Sequence, residues 1–95
     1  GGTSLGTATL SENPLTLVLR AERYVQEERF ENALSELGEA IELDSSFSRA
    51  YYLRGKIMAQ YGDLGRAKDD LSRAIQLGLG PQYMTDAISL LINLE

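Results

Sequence analysis

Cysteine and histidine are both missing from these 95 residues, and their absence removes more chemistry than any motif present supplies. Without them there is no disulfide, no Cys–His zinc site, no cysteine nucleophile and no histidine general base. Long apolar runs are missing too. Nothing approaches the roughly 20 residues that span a bilayer, and the N-terminus lacks the basic start and apolar centre of a signal peptide. No membrane insertion is expected, and the expected compartment is the cytoplasm. Basic charge is scarce as well: the net charge is −5, with 3 basic and 9 acidic groups in residues 1–47 against 6 and 5 in residues 48–95. A nucleic-acid surface needs a dense basic face to displace counterions from phosphate, so no nucleic-acid partner is expected, nor any metal or cofactor.

What is present is the composition of an ordinary globular domain, 43% apolar and 24% charged. A chain of this length buries only about 60–65% of the surface its unfolded form exposes, so its core is thin. Residues 1–13, "GGTSLGTATLSEN", show no helical period and are read as a flexible leader whose first residues have the composition of a cloning remnant. Asn13 before Pro14 has the form of an N-cap followed by proline in the first helical turn, where its missing N–H costs nothing. From there the apolar spacing is helical throughout. Leu17, Ala21 and Tyr24 mark a first helix, and Phe30, Ala33, Leu34, Leu37, Ala40 and Ile41 a second, over Phe30–Leu43. A third runs from about Arg49 to Tyr61 and is stopped by Gly62, a fourth is capped by Asp63 and reaches Leu77, and a fifth begins at Pro81. The expected fold is all-α, with five helices and no strand.

Gly55 lies in the middle of the third helix, where glycine costs about 1 kcal/mol relative to alanine. An offset of 34 residues accounts for it. That offset pairs Leu17 with Tyr51, Ala21 with Gly55, Ala33 with Ala67, Leu37 with Leu71, Ala40 with Ala74, Ile41 with Ile75 and Leu43 with Leu77. Small residues fall on small and large apolar residues on large, so Gly55 and Ala67 are expected where two helices approach closely.

With these residues the chain resembles the tetratricopeptide repeat family over about residues 14–80. The resemblance rests on Leu17, Ala21, Tyr24, Ala33, Leu37 and Ala40 in the first repeat, and on Tyr51, Gly55, Met58, Gly62, Ala67, Leu71 and Ala74 in the second. It implies antiparallel helix-turn-helix repeats, a fragment of an α-solenoid, divided as repeat 14–47, repeat 48–80 and a C-terminal helix 81–95. It further implies a non-enzymatic scaffold that binds a protein or peptide partner. Three departures stand out. Glu28 replaces the turn glycine of the first repeat, implying a strained turn or a longer helix. The proline that follows the second helix of a repeat is absent. Arg20 and Arg54 stand where the family often has Leu or Ile, and are read as laying their stems over the helix pair with the guanidinium in water.

The resemblance places the partner groove on the first helix of each pair. The groove is expected at Val18, Leu19, Glu22, Arg49, Tyr52, Leu53, Lys56 and Gln60, none of whose apolar members is needed for packing within a pair. Apolar side chains beside Arg49 and Lys56 suit a peptide or helix with apolar anchors and an acidic group. A subset of the family grips acidic chaperone tails with a lysine and asparagine clamp; the matching places hold Val18, Glu22 and Leu53, which argues against that ligand. Ala50, Ile57 and Tyr61 are expected to face the preceding repeat. Their counterparts Thr16, Arg23 and Glu27 imply a polar, closed N-terminal end.

The last helix carries an apolar arc of about 200°, wider than the roughly 100° that one contact needs. One face is expected to pack on the second repeat and the other to meet a second copy, a partner or a continuation of a parent chain, so a partner is expected at the groove or at this helix. Tyr83, Met84, Ala87, Ile88, Leu90, Leu91 and Leu94 are the candidates for self-association, and the alternative function is a homodimerisation domain. A third possibility is that this helix fills the groove itself. Chemistry finds little support: the carboxylates of Glu27/Glu28 and Asp69/Asp70 are adjacent and point about 100° apart, and "GLGP" at 78–81 lacks the Lys-Ser/Thr of a phosphate loop. Glu28, Glu31, Glu39 and Glu42 read as a solvated outer face.

Overall fold

The computed structural model describes residues 13–94, so the leader reading, apart from Asn13, and Glu95 lie outside the described residues. Five helices fill the described span and no strand occurs in it: α1 Pro14–Gln26, α2 Phe30–Leu43, α3 Ser48–Tyr61, α4 Leu64–Leu77 and α5 Pro81–Leu94.

Local chemistry sets their ends. Asn13 accepts a hydrogen bond from the Thr16 N–H at 2.9 Å and Pro14 opens α1. Asp63 does the same for α4 through the Arg66 N–H at 3.2 Å. The turns after α1 and α3 are the same motif, 34 residues apart. Gly62 has φ 85° and Glu28 has φ 61°. In each turn the next residue's N–H reaches back to the last turn of the helix, Asp63 to the Met58 carbonyl at 3.0 Å and Arg29 to the Tyr24 carbonyl at 2.8 Å. The turn at Glu28 is therefore the strained alternative, not the longer helix. Between the repeats, Asp44 accepts from both the N–H and the hydroxyl of Ser46, and the Tyr51 hydroxyl donates to the Ser45 carbonyl.

α1 packs on α2 and α3 on α4, while α3 also sits on α2 and, more lightly, on α1. One core joins the first pair to the incoming face of α3: Leu17, Val18, Ala21, Ala33, Leu37, Ala40, Ala50, Leu53 and Ile57. Gly55 is buried against α4. A Cβ there would come 2.8 Å from Leu71 Cγ and 3.3 Å from the Ala67 carbonyl oxygen, which is the close approach that the repeat implied.

The arginines differ from the sequence reading. Their guanidinium groups are bonded to carboxylates on the second helix of their own pair. Arg20 Nε lies 2.6 Å from Glu36, and Arg54 makes a two-pronged contact with Asp70 at 2.8 and 3.0 Å. Asp70 is 5% exposed, and the bond to it holds the Arg54 guanidinium above its ordinary pKa. Arg20/Arg54 and Glu36/Asp70 are each 34 residues apart, so the ion pair repeats with the helices.

α5 continues the stack. It packs mainly on α4 and lightly on α3, the relation that α3 has to α2 and α1. Its core, with Tyr52, Leu71, Ala74 and Ala87, draws in Tyr83, Leu90, Leu91 and Leu94.

Candidate protein-interaction groove

Successive first helices, α1, α3 and then α5, carry a continuous row of polar and aromatic contacts on the side where the groove is expected. Glu22 of α1 accepts from Arg49 Nη2 of α3 at 2.9 and 3.2 Å. The Arg49 guanidinium stands 5.0 Å from the centre of the Tyr83 ring of α5. Tyr83 meets Tyr52 of α3 edge to face, centroids 5.4 Å apart. The Tyr52 hydroxyl donates to Asp86 of α5 at 2.5 Å. Lys56 completes the row, 3.3 Å from the Tyr52 hydroxyl and 3.4 Å from Asp86. Burial, and next the bond to Asp86, raise the Tyr52 hydroxyl well above the ordinary tyrosine range. The Tyr52 hydroxyl first, helped by Lys56, holds Asp86 below the ordinary carboxylate range.

This geometry redistributes the residues expected in the groove. Glu22, Arg49 and Lys56 stand in the row and are half-buried, and Gln60 is exposed. Tyr52 is only 6% exposed because α5 lies across it. Val18 is fully buried in the core that joins the first pair to α3, so packing between the repeats takes it out of the groove. Leu53 points back into that same core, and its counterpart Leu19 is 49% exposed beside Thr16, Arg20 and Arg23. Leu19 thus belongs to the N-terminal end of the stack, which is less polar than its sequence suggested. Both leucines turn away because their position on the helix faces the previous repeat, as Ala50 and Ile57 do. Tyr61 also looks that way, edge-on to Phe30 at 6.2 Å, while staying exposed.

The residues considered for self-association divide as well. Ala87 is buried, and Tyr83, Leu90, Leu91 and Leu94 are partly buried against the second repeat. Met84 is half-buried and Ile88 exposed. α5 covers part of the expected groove: Tyr83 lies against Arg49 and Tyr52, and Asp86 against Tyr52 and Lys56. Sequence reasoning missed those two as groove residues. The 34-residue offset, carried one step further, sets Tyr83 on Arg49 and Asp86 on Tyr52, and would have found them.

Among the described residues no cluster of side chains suits a metal ion, and no helix is long and apolar enough to cross a membrane.

A family model described as TPR repeat matches residues 21–62. Among solved structures, the first TPR of Spaghetti (RPAP3), bound to the HSP90 peptide SRMEEVD, is 28% identical with a TM-score of 0.77; 87% of this chain and 64% of that one are covered. The second TPR domain of the human RPAP3 protein, in complex with the HSP70 peptide SGPTIEEVD, is 30% identical with a TM-score of 0.74, covering 88% of this chain and 68% of that one. The chain thus spans about two thirds of the length of either. The comparison with curated proteins found no match.

Proposed function

This chain belongs to the tetratricopeptide-repeat family, a protein-interaction fold, and from that premise we propose that it is a non-catalytic recruitment module whose concave face takes a peptide across α1, α3 and α5. The observation that carries the reading is the row Glu22–Arg49–Tyr83–Tyr52–Asp86–Lys56. Ion pairs as open as Glu22–Arg49 and Asp86–Lys56 contribute only about 0–1 kcal/mol to stability, so packing alone gives little reason for charged groups on three successive helices to align. Aligned, they offer a peptide donors, acceptors and a ring edge along one line.

The same row defines the ligand. An acidic group on the peptide competes with Glu22 and Asp86 for Arg49 and Lys56, so the groove favours charge-balanced segments over a run of carboxylates. The two neighbours are bound to peptides ending in EEVD. At the clamp positions this chain has two core residues, Val18 and Leu53, and an acid, Glu22, already paired with Arg49. The chaperone-tail ligand is accordingly not part of this proposal. The acidic chain also makes a nucleic-acid partner a poor match, and the proposed setting is cytoplasmic.

Panning a displayed peptide library on the chain, followed by titration of the selected peptides by fluorescence anisotropy, tests this. Affinity is expected to fall at least tenfold in Arg49→Met and Lys56→Met, with SRMEEVD unbound at millimolar concentration. Peptides that bind both variants as tightly as the parent would refute the groove assignment.

A further inference from the structure

Away from the groove, the turn of the first helix pair borders a cleft of about 280 Å³ between the start of α2 and the end of α3, lined by Glu28, Arg29, Phe30, Glu31, Asn32 and Tyr61. Its aromatic wall is open to water. Tyr61 meets Phe30 edge to face, centroids 6.2 Å apart, and remains 53% exposed. Its two carboxylates are open as well: Glu28 and Glu31 are exposed, and neither is paired with a cation among the described residues. Arg29, the cation of the lining, is taken up by Glu27 at 3.6 Å and stands 5.8 Å from the centre of the Tyr24 ring.

The repeat register shows that the fold asks for none of these polar groups. At the offset of 34 the second pair has Gly62 for Glu28, Gly65 for Glu31 and Arg66 for Asn32, and its turn closes in the same way. Glu31 suits the first turn of a helix through its charge, whereas Glu28 is held at φ 61° where glycine would be relaxed.

We propose that this cleft binds the arginine side chain of another protein. A guanidinium is planar, so it lies flat on a tyrosine ring while its N–H fork donates to carboxylates at the ring's edge. Tyr61 supplies the ring, Glu28 and Glu31 the acceptors. Lysine carries a compact, strongly hydrated charge that gains less from such a wall. The chain does not supply the group itself: its nine basic side chains all lie between Arg20 and Arg73, none is paired with Glu28 or Glu31, and residues 1–12 contain no arginine or lysine. The first half of the chain, with 3 basic against 9 acidic groups in residues 1–47, draws a basic segment toward this edge.

The probe is the tripeptide Gly-Arg-Gly, blocked at both ends, titrated into the nitrogen-15-labelled chain and followed by amide shifts. Saturable shifts are expected at residues 28–32 and 61, with the Gly-Lys-Gly analogue bound about fivefold more weakly. Glu28→Gly separates binding from folding: the variant should melt no lower than the parent and bind the probe about fivefold more weakly. Glu31→Gln and Tyr61→Leu should weaken binding to a similar degree, and Lys56→Met in the groove should leave it unchanged. Undiminished binding by Glu28→Gly and Glu31→Gln would overturn the proposal, as would equal affinity for the lysine analogue. Shifts as large at Glu39 and Glu42 as in the cleft would reduce the effect to general charge attraction and overturn it too. A concentration-dependent dimer in sedimentation that Glu31→Gln dissolves would do the same, since the arginine would then come from a second copy of the chain.

Discussion

At the scale of single residues, two positions show what the helix pair demands of the backbone. Glu28 holds φ 61° in a turn whose twin has Gly62, and a side chain in the left-handed region costs about 1–2 kcal/mol. Glu28→Gly relieves that strain at the expense of some unfolded-state entropy. The expected net gain is about 0.5–1 kcal/mol, read as a melting temperature raised by roughly 2–8 °C; no rise would mean that the turn is not strained. Gly55 answers the opposite demand. Leu71 leaves no room for a Cβ there, so Gly55→Leu should destabilise by about 1–3 kcal/mol or more through overpacking, measured by urea unfolding. The first repeat tolerates Ala21 at the equivalent place, which shows that the requirement is for smallness and that the left-handed freedom of glycine is not used here.

At the scale of elements, each pair is fastened twice, by an apolar seam and by one ion pair. Asp70 is nearly out of water, and the charge on Arg54 satisfies it through two hydrogen bonds. Removing the arginine alone strands that carboxylate. Arg54→Leu is expected to cost about 2–4 kcal/mol, whereas Arg54→Leu combined with Asp70→Leu should recover most of the loss, since an apolar pair of similar volume replaces a buried ion pair at little cost. A double-mutant cycle by denaturant melts checks the sign, and additive losses would disprove the coupling. The sequence marked both arginines through their repetition, yet gave them to solvent. Their carboxylates lie on the neighbouring helix, and only the crossing of the helices sets Glu36 and Asp70 within reach.

At the scale of the whole molecule, the attachment of α5 depends on pH through the Tyr52–Asp86 bond. Asp86 titrates below its ordinary 3.8 in the folded chain, so its contribution is present above that value and is lost as pH falls through the lowered one. Tyr52 titrates above its ordinary 10.0, so its contribution is present below pH 10 and is lost as pH rises through the raised value. The melting-temperature advantage of the parent over Tyr52→Phe is expected to be level from about pH 5 to 9 and to shrink on both sides; a flat difference across that range and beyond would rule the linkage out. Helix number, helix ends, the 34-residue register and the small residues at the crossings were all legible in the chain by itself, because hydrophobic period, caps and the absence of a side chain act locally or through repetition. Which side chains of a first helix face the groove was not legible. Val18, Leu53 and Tyr52 are apolar or aromatic and lie on one helix face, and the sequence offers no means of telling a partner from a neighbouring repeat. The stacking angle decided it, turning Val18 and Leu53 into the core, laying α5 over Tyr52, and leaving Ile88 and Ile92 in water, because burial is a property of what arrives opposite a residue and not of the residue.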